Sequence, residues 1–178
     1  MILCSGEALI DMLPRKTGDH EKAFAPYAGG AVFNTSIALG RLGVHTGFFS
    51  GLSNDLFGDI LTEALSASNV DSRMAARSDR PTTLAFVTLN EGQASYVFYD
   101  ENSAGRMLAV DDLPALSAEV STLFFGGISL VVEPCAQAYE ALMMRETEHR
   151  VIMMDPNIRQ SFIRDEAAYR DRIGRMLG

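Results

Sequence analysis

The sequence has no tryptophan, few histidines and a deficit of basic residues. Its 15 Lys and Arg residues face 23 Asp and Glu residues, which gives a formal net charge of −8. Because phosphate backbones and anionic lipids are bound by basic surfaces, this deficit argues against a nucleic acid or a membrane as partner. No apolar run reaches the roughly 20 residues of a membrane-spanning helix, and no basic segment typical of a secretory signal opens the chain. We therefore expect a cytoplasmic protein.

Cysteine and histidine are too scarce and too scattered to predict a disulfide or a metal site. Cys4 and Cys135 lie far apart in apolar segments, which favours two buried thiols in a reducing compartment. His20, His45 and His149 have no spacing typical of metal ligands. We therefore expect no zinc site.

Two common nucleotide-binding motifs are also missing. The sequence contains neither the G-x-x-x-x-G-K-[ST] motif of P-loop proteins nor a G-x-G-x-x-G motif after a predicted strand. A P-loop nucleotidase and a dinucleotide-binding enzyme are therefore not supported.

Short apolar runs alternate with amphipathic segments of helical spacing. Strands are predicted at 1–5, with extended chain as far as residue 13, and at 44–50, 121–125 and 150–154. Helices are predicted at 30–42, 55–68, 133–146 and 166–177. Gly43 is suited to a left-handed helix cap. This alternation predicts an α/β fold with a doubly wound, mainly parallel sheet.

One region departs from the alternation. Residues 82–89 and 94–99 are rich in β-branched and aromatic side chains and are joined by Asn90-Glu91-Gly92-Gln93, which predicts an antiparallel hairpin. A further extended piece is predicted near 22–27. We expect these segments to form a small β appendage, either a lid or an interface.

A pair of glycines leads into the first predicted helix. Gly29 and Gly30 allow close approach of a ligand to the free N–H groups of the helix start, and Asn34 can reach back toward the same point. An amide offers a donor and an acceptor to a hydroxyl group. The alternative, a tight turn with Asn34 as a local cap, is equally compatible with the spacing.

Polar residues also follow other predicted strands. Asp11 is expected at or just past the end of the first strand, and Asn157 and Arg159 follow the strand at 150–154. Ligands of open α/β sheets bind outside these carboxyl ends. Alternatively, Asp11 is a solvated loop acid or helix cap, and Asp155 pairs with Arg159 to hold the turn. Taken together, the groups favour recognition of a polyol.

These motifs resemble those of a known family. The segment from Ala28 through Asn34, continuing to Gly43, Gly51 and Asp55-Leu56-Phe57-Gly58, resembles the N-terminal signature of the PfkB carbohydrate kinases. The opening Gly6-Glu7-Ala8-Leu9-Ile10-Asp11 is similar to the start of fructokinases. Asp155-Pro156-Asn157-Ile158-Arg159 resembles a D-x-N-x-R strand end of fructokinases and 2-keto-3-deoxygluconate kinases.

The resemblance implies a ribokinase-like fold with a β-sheet lid, with lid elements around 14–28 and 82–100. It implies ATP- and Mg²⁺-dependent phosphorylation of a sugar hydroxymethyl group, and a possible homodimer through the lid. The residues that it assigns to the sugar or its immediate surroundings are Asp11, Gly29, Gly30, Asn34, Phe98, Asn157 and Arg159.

The chain differs from the family in two respects. Members run to roughly 300 residues, and their second signature, which supplies the anion hole and the catalytic base, does not occur here. The catalytic base and the ATP site are thus expected beyond Gly178, and the 178-residue chain alone is expected to be inactive.

The second difference concerns the substrate. Kinases of keto-acid sugars usually carry an arginine where this chain has Asp100, which favours a neutral ketose as substrate, whereas Arg159 favours a sugar acid. The function predicted from the resemblance is that of a fructokinase. The alternatives are a 2-keto-3-deoxygluconate kinase, another sugar kinase of the family, and a non-catalytic sugar-binding module.

Overall fold

The computed structural model describes residues 1–90 and 93–178. Strands and helices alternate over much of this length. The strands are β1 (Ile2–Ser5), β2 (Leu9–Lys16), β3 (Lys22–Gly29), β4 (Thr46–Phe49), β5 (Gly51–Ser53), β6 (Val70–Asp71), β7 (Ala76–Ser78), β8 (Leu84–Asn90), β9 (Gln93–Tyr99), β10 (Thr122–Gly126) and β11 (Val151–Asp155). The helices are α1 (Ala31–Arg41), α2 (Leu56–Ala67), α3 (Cys135–Glu146) and α4 (Glu166–Leu177).

A five-stranded sheet forms the body. Its order is β11-β10-β1-β4-β6, and every pairing in it is parallel. All four strands predicted for the body are present, and the predicted α/β fold with a mainly parallel sheet is confirmed. Three short strands were not predicted: β6, which pairs with β4 at the edge of the body sheet, and β5 and β7, which form a separate parallel pair.

The body sheet has an apolar core on each face, because neighbouring side chains of a strand point in opposite directions. Leu3 packs with α3 and α4 residues such as Tyr139 and Tyr169, whereas the next residue, Cys4, packs with α1 and α2 residues such as Phe33 and Leu61. This division explains why the body strands are continuously apolar rather than alternating.

The helices begin and end close to the predicted positions. Gly43 has a φ of 80°, as expected for a left-handed residue after α1. Asp55 caps α2: its Oδ1 accepts hydrogen bonds from the N–H groups of Phe57 and Gly58 at 3.0 and 2.8 Å. The same carboxylate accepts two further bonds, from the N–H and the hydroxyl of Thr82 at 2.8 and 2.7 Å. One side chain thereby joins α2 to the segment that leads into β8.

Replacing Asp55 with alanine should destabilise the fold by about 2–3 kcal/mol, since the cap and the connection to Thr82 are both lost. Burial alone would raise the pKa of Asp55, but hydrogen bonds from Thr82, Gly58 and Ser53 outweigh it and lower the pKa. The contribution is therefore complete well above the unfolded pKa of about 3.9 and is lost as the pH falls through the folded value. Urea unfolding at neutral pH and near pH 3 measures both effects.

The matched control for that experiment is Asp59→Ala, because Asp59 is exposed in the first turn of the same helix. Removing it should cost no more than about 1 kcal/mol, the usual size of a helix-dipole contribution. Equal losses for the two variants would contradict the role assigned to Asp55.

A second, four-stranded sheet forms the lid, with the order β3-β2-β8-β9. Strands β8 and β9 pair antiparallel from Leu84 with Tyr99 to Asn90 with Gln93, which confirms the predicted hairpin. Glu91 and Gly92 of the predicted turn lie outside the described residues. The predicted extended piece near 22–27 is part of β3, which pairs antiparallel with β2.

The lid begins earlier than the sequence predicted, and this moves Asp11. The prediction placed Asp11 at the end of the first body strand and started the lid near residue 14. Instead, β1 ends at Ser5, and β2 starts at Leu9 and pairs with β3 and β8. Gly6 and Glu7 interrupt the apolar pattern between the two strands, but the prediction carried extended chain through them to residue 13 and so missed the change of sheet.

Candidate functional site

The lid and the carboxyl ends of the body strands enclose a cleft of about 1140 Å³. This volume slightly exceeds the roughly 300–1,000 Å³ usual for small-molecule pockets. Six of the seven residues predicted from the sequence to lie at the substrate line the cleft: Asp11, Gly30, Asn34, Phe98, Asn157 and Arg159.

Asp11 extends from β2 on the lid and is half-buried in the cleft wall. Burial raises the pKa of its carboxyl group. The carboxylate lies directly over Gly29, since a Cβ at Gly29 would come within 2.4 Å of Asp11 Oδ2. Gly29, which was predicted to contact the substrate, does not line the cleft. Its lack of a side chain leaves room for the Asp11 carboxylate. Asp11 is neither a solvated loop acid nor a helix cap.

Gly30 and Asn34 form the mouth of α1. Gly30 precedes the helix with a φ of 110°, a conformation that L side chains rarely adopt. Gly30 occupies the N-cap position and has no side chain with which to cap the helix. Asn34 is exposed one turn further along, and its N–H donates to the Gly30 carbonyl at 2.8 Å within the helix. The side-chain amide of Asn34 therefore does not cap the helix, which was the alternative considered from the sequence.

Glu7, which the sequence did not single out as a site residue, lies beneath this mouth. Its Oε1 accepts a hydrogen bond from the N–H of Ala31 at 2.8 Å. Its Oε2 is buried and accepts no hydrogen bond of normal geometry within the described part of the chain. Burial raises the pKa of Glu7, although backbone N–H groups, including that of Ala31, offset part of the rise. Glu7 thus connects the end of β1 to the start of α1.

Gly127 brings the end of β10 against the same carboxylate. A Cβ on Gly127 would lie 2.1 Å from Glu7 Oε1, and its φ of 71° also favours glycine. Gly127 thus leaves room for a close approach at this strand end. The group that approaches Gly127 is the Glu7 side chain, and the turn itself lines the cleft.

Asn157 and Arg159 follow β11 on a loop at the cleft edge. Asp155 Oδ1 accepts a hydrogen bond from the N–H of Asn157 at 2.9 Å, and Asn157 itself has a φ of 43°. Arg159 donates to the carbonyl of Ile158 at 3.3 Å and forms no ion pair with Asp155. The alternative in which an Asp155–Arg159 pair holds the turn is therefore not observed.

The lid contacts this loop through two aromatic rings. Phe98 on β9 and Phe162 on the loop meet edge to face with ring centroids 4.6 Å apart. Aromatic pairs of this kind contribute about 0.5–1.5 kcal/mol beyond the area that they bury. Phe98, predicted to face the substrate, therefore also helps to hold the lid against the body.

The described residues contain no strong nucleophile in the cleft and no metal centre. Burial raises the pKa of the Cys4 and Cys135 thiols to about 12, so neither is a thiolate at neutral pH. Within residues 1–90 and 93–178, no three His, Cys, Asp or Glu side chains are grouped to hold a metal ion. No helix in the same ranges is long and apolar enough to cross a membrane. The arrangement is suited to binding hydroxyl groups through a carboxylate, an amide and a helix N-terminus.

The sequence is similar to those of known carbohydrate kinases. A family model described as pfkB family carbohydrate kinase matches residues 1–178. A fructokinase of Rhizobium leguminosarum bv. trifolii is 58% identical over 99% of the chain and 54% of its own length. A fructokinase of Solanum tuberosum is 34% identical over 97% of the chain and 56% of its own length.

A solved structure has the same architecture. The crystal structure of fructokinase from Xylella fastidiosa superposes with a TM-score of 0.88 at 31% identity, covering 99% of the chain and 56% of that protein. The same enzyme has also been solved with bound ATP. The chain spans about half the length of these relatives. With the family match extending over all 178 residues, the chain belongs to the pfkB family of carbohydrate kinases.

Proposed function

We propose that this chain forms the sugar-binding part of an ATP-dependent sugar kinase whose preferred substrate is fructose. The observation that carries the proposal is that Asp11, the Gly30 helix mouth and Asn34 line one cleft under a lid. The similarity to fructokinases, one of them 58% identical, supports the choice of fructose.

Each of these groups has a defined task toward a polyol. The Asp11 carboxylate accepts hydrogen bonds from two adjacent hydroxyl groups. The Asn34 amide accepts from one hydroxyl and donates to another. Gly30 lets the sugar approach the backbone at the helix start closely, because it places no side chain between them. Together they would fix the sugar ring, so that its hydroxymethyl group is presented to the phosphoryl donor.

ATP with Mg²⁺ would supply the phosphoryl group. Arg159 and Arg164 line the cleft and form no ion pair with a carboxylate among the described residues, so they fit a phosphate-bearing ligand. The chain spans about half of its relatives. We therefore assign the catalytic base and most of the ATP contacts to residues outside these 178, and we expect the 178-residue chain alone to be inactive.

A substrate panel tests the function. ADP release by the full-length protein would be measured with ATP, Mg²⁺ and fructose, ribose, a nucleoside or 2-keto-3-deoxygluconate in turn. We expect fructose to have the highest kcat/KM. Fructose binding without ADP release would support a non-catalytic sugar-binding module instead. If no sugar binds or stimulates ADP release, the proposal is wrong.

We also propose a cytoplasmic homodimer that forms through the outer face of the lid. Phe24, Phe86 and Tyr99 form an aromatic row there, with Phe86 in edge-to-face contact with both neighbours at 5.0 and 5.5 Å. Phe24 and Tyr99 remain 43% and 62% exposed. An exposed aromatic row of this kind is typical of an interface. Sedimentation of the wild type and a Tyr99→Ser variant tests the dimer, which the variant should weaken.

A further inference from the structure

An ion pair lies at the base of the lid, at one end of the cleft. Arg106 Nη1 donates to Asp100 Oδ1 at 3.1 Å, and Arg106 Nε donates to the carbonyl of Glu133 at 3.3 Å. The two side chains are only 25% and 20% exposed, and both line the cleft. The Glu133 carbonyl therefore holds the guanidinium beside Asp100 and limits where it can move.

The position of Asp100 follows from the alternation along β9. Tyr96, Phe98 and Asp100 are two residues apart, so they lie on the same side of the lid strand, and all three line the cleft. Phe98 is opposite Ala85, which in turn is opposite Asp11 on β2. With strands about 4.8 Å apart, Phe98 and Asp11 lie about 10 Å from each other across this surface. Asp11 and Asp100 therefore line the same cleft from opposite sides of this surface.

Other arginines of the cleft differ in position and in partners. Arg172 is already engaged by the carboxylates of Glu133 and Glu140. Arg159 and Arg164 belong to the segment after β11 on the body, not to the lid. Arg106 lies at the base of the lid beside Asp100, so a substrate that reaches this end of the cleft would meet both side chains.

We propose that the Asp100–Arg106 pair determines the substrate class of the cleft by admitting an uncharged sugar at this end and rejecting a sugar acid. The proposal rests on the proposed function and extends it to specificity. The paired groups offer an acceptor and donors to hydroxyl groups but no net charge. A substrate carboxylate would have to displace Asp100 from Arg106 and would then lie next to an unpaired like charge.

The proposal predicts a gain of function. Asp100→Asn keeps the shape and an acceptor oxygen but removes the negative charge, so Arg106 becomes free to bind a substrate carboxylate. We expect kcat/KM for 2-keto-3-deoxygluconate, relative to that for fructose, to rise by about 10- to 100-fold, the usual effect of one hydrogen-bonded charge pair. Arg106→Gln alone should shift this ratio in the opposite direction, and the double variant should return it toward the wild-type value.

The matched control is Asp71→Asn, which removes the carboxylate of another Asp–Arg pair, 2.7 Å long, away from the cleft. This variant should leave the ratio unchanged. The proposal is overturned if Asp100→Asn leaves the ratio unchanged, if the double variant keeps the gain, or if the wild type already uses both substrates equally well.

Failure of the proposed function would be seen separately. If the wild type binds sugars but releases no ADP, the kinase assignment fails. In that case the affinity for 2-keto-3-deoxygluconate relative to that for fructose, measured by calorimetry for the same variants, still tests the role of the Asp100–Arg106 pair.

Discussion

Replacing Asp11 with alanine is expected to weaken fructose binding roughly 100-fold. The carboxylate is half-buried in the cleft wall and faces the helix mouth with no cation bound to it among the described residues. It is therefore available for two sugar hydroxyl groups, and hydrogen bonds to a charged group contribute about 1.5–3 kcal/mol each. A loss of about 3 kcal/mol corresponds to this factor. Calorimetric titration of the full-length protein with fructose measures it.

Two further variants make this result specific. Asp11→Asn retains an acceptor oxygen without the charge, so it should lose less affinity than alanine. Asp19→Ala removes an exposed carboxylate from the turn between β2 and β3 and should have no effect. The assignment of Asp11 would be contradicted by equal fructose affinities in Asp11→Ala and wild type, provided that both are folded.

Gly30→Ala should disrupt both the fold and the sugar site. An alanine would be held at a φ of 110°, and its Cβ would lie 2.7 Å from the carbonyl oxygen of Glu7. Strained backbone of this kind costs about 1–3 kcal/mol, and the contact with a backbone atom adds to it because β1 and α1 cannot both keep their positions. We expect a loss of about 3 kcal/mol or more in unfolding free energy, and fructose affinity reduced at least 10-fold.

Gly43→Ala separates the two causes. Gly43 also has a positive φ, 80°, but a Cβ there would meet nothing within 4 Å. Only the conformational cost remains, about 1–2 kcal/mol, and the sugar site is not involved. If urea unfolding gave Gly30→Ala and Gly43→Ala the same loss of unfolding free energy, the close approach of Gly30 to Glu7 would contribute nothing to the effect of Gly30→Ala.

Much of the body could be predicted because its signals are local. Each helix lies within two residues of its predicted bounds, since apolar spacing and the capping residues Asp55 and Gly43 mark them. The paired glycines and Asn34 were recognised because they match the N-terminal signature of the family, whereas their spacing alone was equally compatible with a local cap. The hairpin of β8 and β9 was recognised from its β-rich runs and turn residues.

The remaining features depend on contacts between distant segments. Gly6 and Glu7 between β1 and β2 do not show which sheet the next strand joins, so Asp11 was placed on the wrong element. The Asp100–Arg106 pair depends on how the chain folds back after β9, and the Phe98–Phe162 contact joins residues on the lid and on a distant loop. Glu7 could have been suspected only from its position directly after a buried strand.

The most direct test of the account is a crystal structure of the full-length protein with fructose. We expect the sugar in the cleft over Gly30, with its hydroxyl oxygens within about 3 Å of the Asp11 carboxylate and of the Asn34 amide. Fructose bound elsewhere, or an Asp11 side chain that faces away from it, would contradict the central claim.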